Sequence, residues 1–115
     1  MTVDNKDEVE GFLNTLKVKL SIYSIIFENR DKNNQTLLDL GITQVQRRKH
    51  IDNLQVEDYV SGPTPDNFGG TDIWVFGVDI YGTEIYIKLQ INRLNKPVIC
   101  ISFHTAEYPL TFPFK

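Results

Sequence analysis

Cysteine is almost absent from this 115-residue chain, which has a single thiol at Cys100. One cysteine excludes the internal disulfide framework that stabilises many small secreted domains. The chain also has only two histidines, so it lacks the residues of a histidine-rich or cysteine-rich metal site. We therefore expect an ordinary hydrophobic core and a protein that uses neither a metal ion nor a cofactor.

Long hydrophobic runs are absent as well. No apolar stretch approaches the length of about 20 residues that a membrane-spanning helix needs. The first ten residues, MTVDNKDEVE, also lack the basic and then apolar pattern of a secretion signal. Together with the unpaired cysteine, these absences predict a cytoplasmic protein that has no membrane partner.

Positive charge is in short supply, because 15 acidic residues outnumber 12 lysines and arginines and set the net charge at −3. The first ten residues carry this whole excess, with four acidic residues and one lysine. A general nucleic-acid binder needs clustered cations. Any nucleic-acid site in the neutral remainder of the chain must therefore be a local basic patch.

The length fits one compact domain over residues 1–115. Apolar residues recur at three- and four-residue intervals between residues 6 and 23, and this spacing predicts an amphipathic helix. Its buried face consists of Val9, Phe12, Leu13, Leu16 and Leu20. Thr43 predicts the start of a second helix, because Gln46 completes a capping box. The residues expected to face the core there are Ile42, Val45, Ile51 and Leu54.

The connection between these helices is harder to interpret. Residues 22–28 are predicted to be extended, residues 29–34 to form a polar turn, and residues 36–40 to be extended or irregular. Residues 18–27 are also compatible with a continuation of the first helix, and we leave that alternative open.

Proline interrupts two later stretches. After one helical turn near Val56, Gly62 and Pro63 predict a loop that continues to the paired glycines before residue 71. The C-terminal stretch HTAEYPLTFPFK is broken twice by proline. Its aromatic residues Phe112 and Phe114 are expected either near the surface or folded back onto the rest of the domain.

Strict alternation of apolar and polar residues in EIYIKLQI and VICISFH predicts two strands, at residues 84–91 and 98–104. The side chains expected to face the core are Ile85, Ile87, Leu89, Ile91, Ile99, Ile101 and Phe103. The opposite face then carries Glu84, Tyr86, Lys88, Gln90, Val98, Cys100, Ser102 and His104.

Tyr81-Gly82 predicts a two-residue hairpin turn that joins residues 72–80 to residues 83–91. This turn pairs Trp74 with Leu89 on the core face. It places Gly77 opposite Tyr86 on the other face, where the missing side chain is expected to leave open space. The predicted fold class is α+β, with N-terminal helices packed on one face of a twisted antiparallel sheet.

Three residues of the outer sheet face have complementary chemistry. His104 supplies an imidazole, Lys88 a cation and Tyr86 a hydroxyl donor. RNA cleavage by attack of a 2′-hydroxyl on the adjacent phosphate needs a base, an acid and a cation that stabilises the phosphorane. We therefore predict that Tyr86, Lys88 and His104 are catalytic, although such residues also suit any solvated strand face.

Further RNA contacts are predicted from two places. Arg47, Arg48 and Lys49 form the basic run of RRKH on the second helix, where they are able to bind phosphates or simply to form a solvated surface. On the sheet face, Gln90 and Ser102 are polar neighbours of the three catalytic candidates. We include all five as candidate RNA-binding residues.

The C-terminal half resembles the motility quorum-sensing regulator (MqsR) family of toxins. The similarity lies in IW at Ile73-Trp74, in GTEIYIKLQI at residues 82–91 and in VICISFH at residues 98–104, with QTLLDLG and LQVEDY upstream in the expected order. This resemblance implies a RelE-like fold and an endoribonuclease, or mRNA interferase, of a bacterial type II toxin–antitoxin pair. It also implies an antitoxin partner and contact with DNA only through that antitoxin. The implied substrate is messenger RNA, either free or bound to the ribosome.

Carried over by position, the resemblance assigns the family's tyrosine to Tyr86. The family's catalytic lysine after Ser-Phe is replaced here by His104, and its glutamine after the tryptophan is replaced by Val75. Its lysine after the short helix has no counterpart near Ser61. Two other interpretations stay open: a non-catalytic RelE-like interaction module, and a small-ligand-binding domain that uses the space above Gly77.

Overall fold

The computed structural model describes residues 2–3 and 5–115, so Asp4 of the acidic leading segment lies outside the described residues. Three helices precede most of the sheet. They are α1 (Lys6–Ile22), α2 (Asp31–Leu40) and α3 (Gln44–Asp52), and a short 3-10 turn at Val56–Asp58 follows. The five strands are β1 (Ile26–Phe27), β2 (Tyr59–Thr64), β3 (Ile73–Ile80), β4 (Thr83–Gln90) and β5 (Ile99–Thr105).

The sheet has the strand order β1-β5-β4-β3-β2. The two-residue strand β1 runs parallel to β5, and the other three pairings are antiparallel. These helices and this mostly antiparallel open sheet confirm the predicted α+β class. Among the described residues, no helix has the length and apolar character that a membrane crossing requires.

The hairpin of β3 and β4 has the predicted register. Trp74 pairs with Leu89 and Gly77 pairs with Tyr86. Its turn includes Tyr81 at φ 53° and Gly82 at φ 81°, and two consecutive positive φ values are the geometry of a type I′ turn. The local turn chemistry therefore sets which side chains of these strands share a face.

A β-bulge gives the first part of β5 the opposite orientation to the one predicted. Lys88 pairs with Ser102 whereas Leu89 pairs with Cys100, so Ile101 is an extra residue that has no partner on β4. The expectation that Cys100 and Val98 face outward is wrong, because both are buried in the hydrophobic core. Beyond the bulge the prediction holds, since Phe103 is in the core and pairs with Ile87.

Helix α1 begins and packs as its sequence predicts. The Asn5 side chain caps it by accepting hydrogen bonds from two backbone N–H groups of the first turn. The predicted apolar residues of α1 are buried, and Phe12 stacks on Trp74 with ring centroids 4.6 Å apart. This contact places α1 on the core face of the β3–β4 hairpin.

Helix α2 replaces the predicted polar turn and extended segment at residues 29–40. Two polar side chains of α2 bind the free edge of β5, and both are buried. Asn33 accepts a hydrogen bond from Phe103 N at 3.0 Å and donates one to Ile101 O at 3.1 Å. Thr36 accepts a hydrogen bond from Thr105 N at 3.1 Å. The prediction was wrong because the polarity of these residues serves a tertiary contact, whereas we attributed it to a turn.

Helix α3 has the predicted capping box, in which Thr43 Oγ1 accepts from Gln46 N and Gln46 Oε1 accepts from Thr43 N. Ile42, Ile51 and Leu54 are buried as expected. Val45 is not, since 66% of it is exposed.

Two segments broken by proline pack against the sheet. The first is a strand where a loop was predicted, and the second takes one of its two predicted positions, folded back onto the domain. Residues 59–64 form the edge strand β2, whose register with β3 is irregular. The C-terminal segment folds back over the sheet and fills the space above Gly77, where a Cβ atom would lie 2.5 Å from Leu110 Cδ1 and 3.0 Å from Phe112 Cζ. The space expected directly above Gly77 is therefore occupied by these two side chains.

Candidate functional site

Tyr86 and His104 lie directly opposite each other on β4 and β5. Their rings stack with centroids 5.3 Å apart and an interplanar angle of 24°. Both side chains are partly exposed. The pairing of β4 with β5 is regular on this side of the bulge, so the two side chains lie on the same face of the sheet. The predicted meeting of these two rings over one accessible patch is confirmed.

The backbone selects one tautomer of His104. Its Nδ1 atom lies 2.9 Å from Thr105 O. A carbonyl oxygen only accepts hydrogen bonds, so Nδ1 carries the proton in this contact. In the neutral imidazole, Nε2 is then the unprotonated nitrogen, and it is able to accept a proton from a ligand.

Partial burial changes the acidity of Tyr86. Desolvation raises the pKa of its phenol above the ordinary value. The hydroxyl group therefore keeps its proton throughout the neutral range and acts as a hydrogen-bond donor. It is suited to binding an anion and poorly suited to being a base.

Lys88 lies beside this pair, because it is two residues from Tyr86 on the same face of β4 and pairs with Ser102. These four residues line a cavity of about 390 Å³, which we name the His104 cavity. One wall of it is formed by the C-terminal segment at residues 107–110. The structure thus brings together all three residues that the sequence predicted to be catalytic.

A second and larger cavity adjoins the first. It has a volume of about 620 Å³ and is bounded on one side by the loop that carries Phe68, so we name it the Phe68 cavity. Both cavities are lined by Arg30, Tyr86 and Lys88. The bulge residue Ile101 lines the Phe68 cavity. The two cavities form one depression on the outer face of the sheet, with cations where they meet.

Arg30 is a site residue that the sequence analysis missed. It is the residue before α2, and its Nε atom lies 2.8 Å from Glu28 Oε2. We had assigned it to a solvated polar turn, and no local motif marks it. Only the packing of α2 against β5 brings Arg30 to the two cavities.

Glu107 was also missed. It lines the His104 cavity and forms an ion pair with Lys32 of α2. Lys32, and to a smaller extent His104, lower the pKa of the Glu107 carboxyl group. The carboxylate therefore stays ionised at the wall of the His104 cavity.

Gln90 and Ser102 are both buried. Ser102 lines the His104 cavity, while Gln90 lines the Phe68 cavity. Gln90 Nε2 donates to Asp66 Oδ2 and to Thr71 O, each at 2.8 Å. Both donors of this amide are thus used to hold the neighbouring loop against β4, which makes Gln90 a positioning residue.

Arg47 requires a correction. Only 5% of it is exposed, and its guanidinium lies 3.6 Å from the centroid of the Phe27 ring. Desolvation lowers its pKa, an effect that the nearby Cys100 opposes. Both sequence-based interpretations placed this side chain on the surface, and both are wrong. As a buried residue, Arg47 is unavailable to an RNA phosphate.

The other two basic residues of α3 lie outside the depression. Arg48 donates from Nη2 to Leu20 O at 2.6 Å, and its Nε atom is 3.5 Å from Asp52 Oδ2. Lys49 is exposed. Neither residue lines the His104 cavity or the Phe68 cavity. The structure does not bring the predicted basic run of α3 together with the candidate catalytic residues.

A scan of protein-family models finds no match to this chain, and searches of curated proteins and of solved structures find none either. The MqsR-family resemblance and the RelE-like fold stay predictions from the sequence. Within the described part of the chain, no three His, Cys, Asp or Glu side chains are grouped in a way that could hold a metal ion.

Proposed function

We propose that this protein is a metal-independent endoribonuclease that cleaves RNA through attack of a 2′-hydroxyl on the adjacent phosphate. The observation that carries the proposal is the stacked pair of Tyr86 and His104 beside Lys88 in a partly exposed cavity. This group combines a base, a neutral hydrogen-bond donor and a cation. The reaction needs a base and a cation within reach of one phosphate, and an acid for the leaving oxygen, which is water in this proposal.

His104 is the proposed general base. Its Nε2 atom takes the proton from the 2′-hydroxyl, while Nδ1 stays bound to Thr105 O. The 2′-oxygen then forms a bond to phosphorus, and the bond from phosphorus to the 5′-oxygen breaks. Water in the open cavity protonates the departing 5′-oxygen. The products are a 2′,3′-cyclic phosphate and a 5′-hydroxyl end.

Lys88 and Arg30 are the proposed phosphate ligands. Negative charge builds up on the equatorial oxygens of the phosphorane, and a fixed cation stabilises it more strongly in a partly desolvated site than in water. Tyr86 adds a hydrogen bond from its protonated hydroxyl group. Arg30 is paired with Glu28 and lines the cavity together with Lys88.

The biological role that we propose is that of a RelE-like toxin of a type II toxin–antitoxin pair, and the sequence resemblance to the MqsR family supports it. The cognate antitoxin is the proposed protein partner, and messenger RNA is the proposed substrate. Expression of the chain alone is then expected to slow bacterial growth.

The decisive experiment compares the two histidines. We expect the wild-type protein to cleave single-stranded RNA in the presence of EDTA and to leave 2′,3′-cyclic phosphate ends. His104→Ala should lower the cleavage rate about 100-fold or more, the range typical of a lost general base. His50→Ala is the matched control, because His50 lines neither the His104 cavity nor the Phe68 cavity.

Growth provides the second measurement. Toxicity should disappear in His104→Ala and in the double variant Tyr86→Ala with His104→Ala, while both proteins keep a cooperative unfolding transition. If folded His104→Ala cleaved RNA and slowed growth like the wild type, the nuclease proposal would be wrong. Toxicity without RNA cleavage would instead indicate a non-catalytic interaction module that binds an antitoxin or a ribosomal surface.

A further inference from the structure

Phe68 is unusual among the aromatic residues because 97% of it is exposed. Burial of a phenylalanine side chain normally stabilises the folded state, and here that contribution is absent. Single exposed apolar residues are common on protein surfaces. What distinguishes Phe68 is its place, since it lines the larger cavity next to the candidate catalytic residues.

The loop that presents Phe68 is held in place by hydrogen bonds. Asp66 Oδ1 accepts from Phe68 N at 2.9 Å, and Asp66 Oδ2 accepts from Gly70 N at 3.2 Å and from Gln90 Nε2 at 2.8 Å. The hydrogen bonds from Phe68 N and Gln90 lower the pKa of the Asp66 carboxyl group. The carboxylate therefore stays ionised and keeps the loop attached to β4.

Gly70 lies against the side chains that make these hydrogen bonds. A Cβ atom at position 70 would lie 2.8 Å from Gln90 Nε2 and closer still to Asp66 Oδ2, so a larger residue would displace the hydrogen bonds. The close approach requires glycine there. The loop is therefore built around the contact with β4, and Phe68 is left facing the cavity.

The remaining walls of the Phe68 cavity suit a nucleotide. Ile73, Val75 and Ile101 supply apolar surface, and Ile101 does so because of the bulge in β5. Lys88 and Arg30 line both cavities, so a chain whose phosphate is held by them would extend into each.

Two carboxylates also line this cavity, and both are already bound: Glu28 is paired with Arg30, and Asp66 accepts hydrogen bonds from Gln90 and from its own loop. Lys88 has no such carboxylate partner within salt-bridge distance among the described residues. An aromatic ring beside cations that bind the phosphates is the usual platform for unpaired bases.

We propose that the Phe68 cavity binds an unpaired nucleotide of the RNA substrate, adjacent to the cleaved phosphate, with its base stacked on the Phe68 ring. This inference rests on the proposed ribonuclease function and adds to it a subsite that binds one unpaired base of the substrate. Double-stranded RNA is excluded from the subsite because its bases are already stacked on each other. Stacking accepts every base, so the subsite has little sequence preference of its own.

The test measures binding of a single-stranded oligonucleotide that has 2′-O-methyl groups and resists cleavage. Phe68→Ala should weaken its binding about 5- to 100-fold, the range that corresponds to the loss of one stacked base. Phe68→Trp should retain binding. Leu94→Ala is the matched control, because Leu94 is 86% exposed and lines neither cavity. The unfolding temperature of all three variants should stay near that of the wild type.

An abasic scan of the oligonucleotide identifies the stacked base. At one position, loss of the base should weaken binding by the wild type and leave binding by Phe68→Ala unchanged. If Phe68→Ala cleaved RNA and bound every oligonucleotide as the wild type does, the proposed subsite would be wrong. The proposed nuclease function would be unaffected by that result. A wild-type protein that neither cleaved RNA nor bound the oligonucleotide would overturn the subsite and the proposed function together.

Discussion

Cys100 and Arg47 illustrate how the position of a single residue decides its chemistry. The bulge in β5 turns Cys100 into the core, where burial raises the pKa of its thiol from 9.0 to about 12. A thiol that holds its proton is a weak nucleophile and behaves as a small apolar side chain. Arg47 lies nearby over the ring of Phe27 and contributes to the same interior. Neither residue therefore belongs to the reactive surface.

The buried thiol makes stability depend on pH above about 9. In the unfolded chain the thiol loses its proton near its ordinary pKa, while in the folded protein it keeps the proton until about pH 12. Ionisation therefore favours the unfolded state as the pH rises through this interval. Between pH 8 and pH 10 the wild type should lose more unfolding free energy than Cys100→Ala, as measured by urea titration. Equal losses in the two proteins would contradict the assignment.

At the scale of the elements, α2 substitutes for a sixth strand along part of β5. Asn33 and Thr36 supply the hydrogen bonds that another strand would have made to Phe103 and Thr105. This cover protects an exposed sheet edge from pairing with another chain. It also anchors the start of α2, next to which Arg30 reaches the two cavities. The stability of the edge and the composition of the site therefore depend on the same contact.

Asn33 should consequently be one of the most sensitive polar residues. Asn33→Ala removes its hydrogen bonds to Phe103 N, Ile101 O and Glu28 O. Buried partners left unsatisfied are expected to lower the unfolding free energy by about 2–4 kcal/mol. Asn34→Ala is the control, because the neighbouring Asn34 is exposed and makes only a surface contact with Asn29. Similar urea midpoints for the two variants would show that the edge contact is unimportant.

Some of these elements were predictable from local sequence patterns alone. The β3–β4 hairpin, the buried face of α1 and the capping box of α3 were predicted correctly, because each depends on residues close together in the chain. Helix α2 and the edge strand β2 were not. Their sequences carry polar and proline residues that local rules assign to turns. Contacts with distant strands override those preferences.

At the scale of the whole molecule, the C-terminal segment closes the fold over the sheet. Phe114 stacks on the buried Tyr59 with ring centroids 5.6 Å apart, and Leu110 N donates to Glu84 Oε1 at 2.8 Å. Leu110 and Phe112 occupy the space above Gly77. The same segment forms a wall of the His104 cavity, so its docking shapes the candidate site.

Replacing glycine by alanine at two positions tests how the C-terminal segment docks on the sheet. Gly77→Ala places a methyl group against Leu110 and Phe112 and should lower the unfolding free energy by about 1–3 kcal/mol. It should also speed chymotryptic cleavage in the C-terminal segment. Gly11→Ala is the control, because that position in α1 is open and alanine favours a helix by about 0.5–1 kcal/mol. The docking account fails if the two substitutions change stability in the same direction.

The sequence by itself determined the alternation of β4, its turn and the two helix starts, since neighbouring residues create those features. It also placed Tyr86, Lys88 and the end of β5 on one face. Only the tertiary structure decided that Cys100 turns inward, that Arg47 is buried, and that Arg30 and Phe68 reach the depression. Those outcomes depend on a bulge and on hydrogen bonds between residues far apart in the chain, such as Asn33 and Phe103, which are 70 positions apart. Interactions of that range exist only once the chain has folded, so no local pattern encodes them.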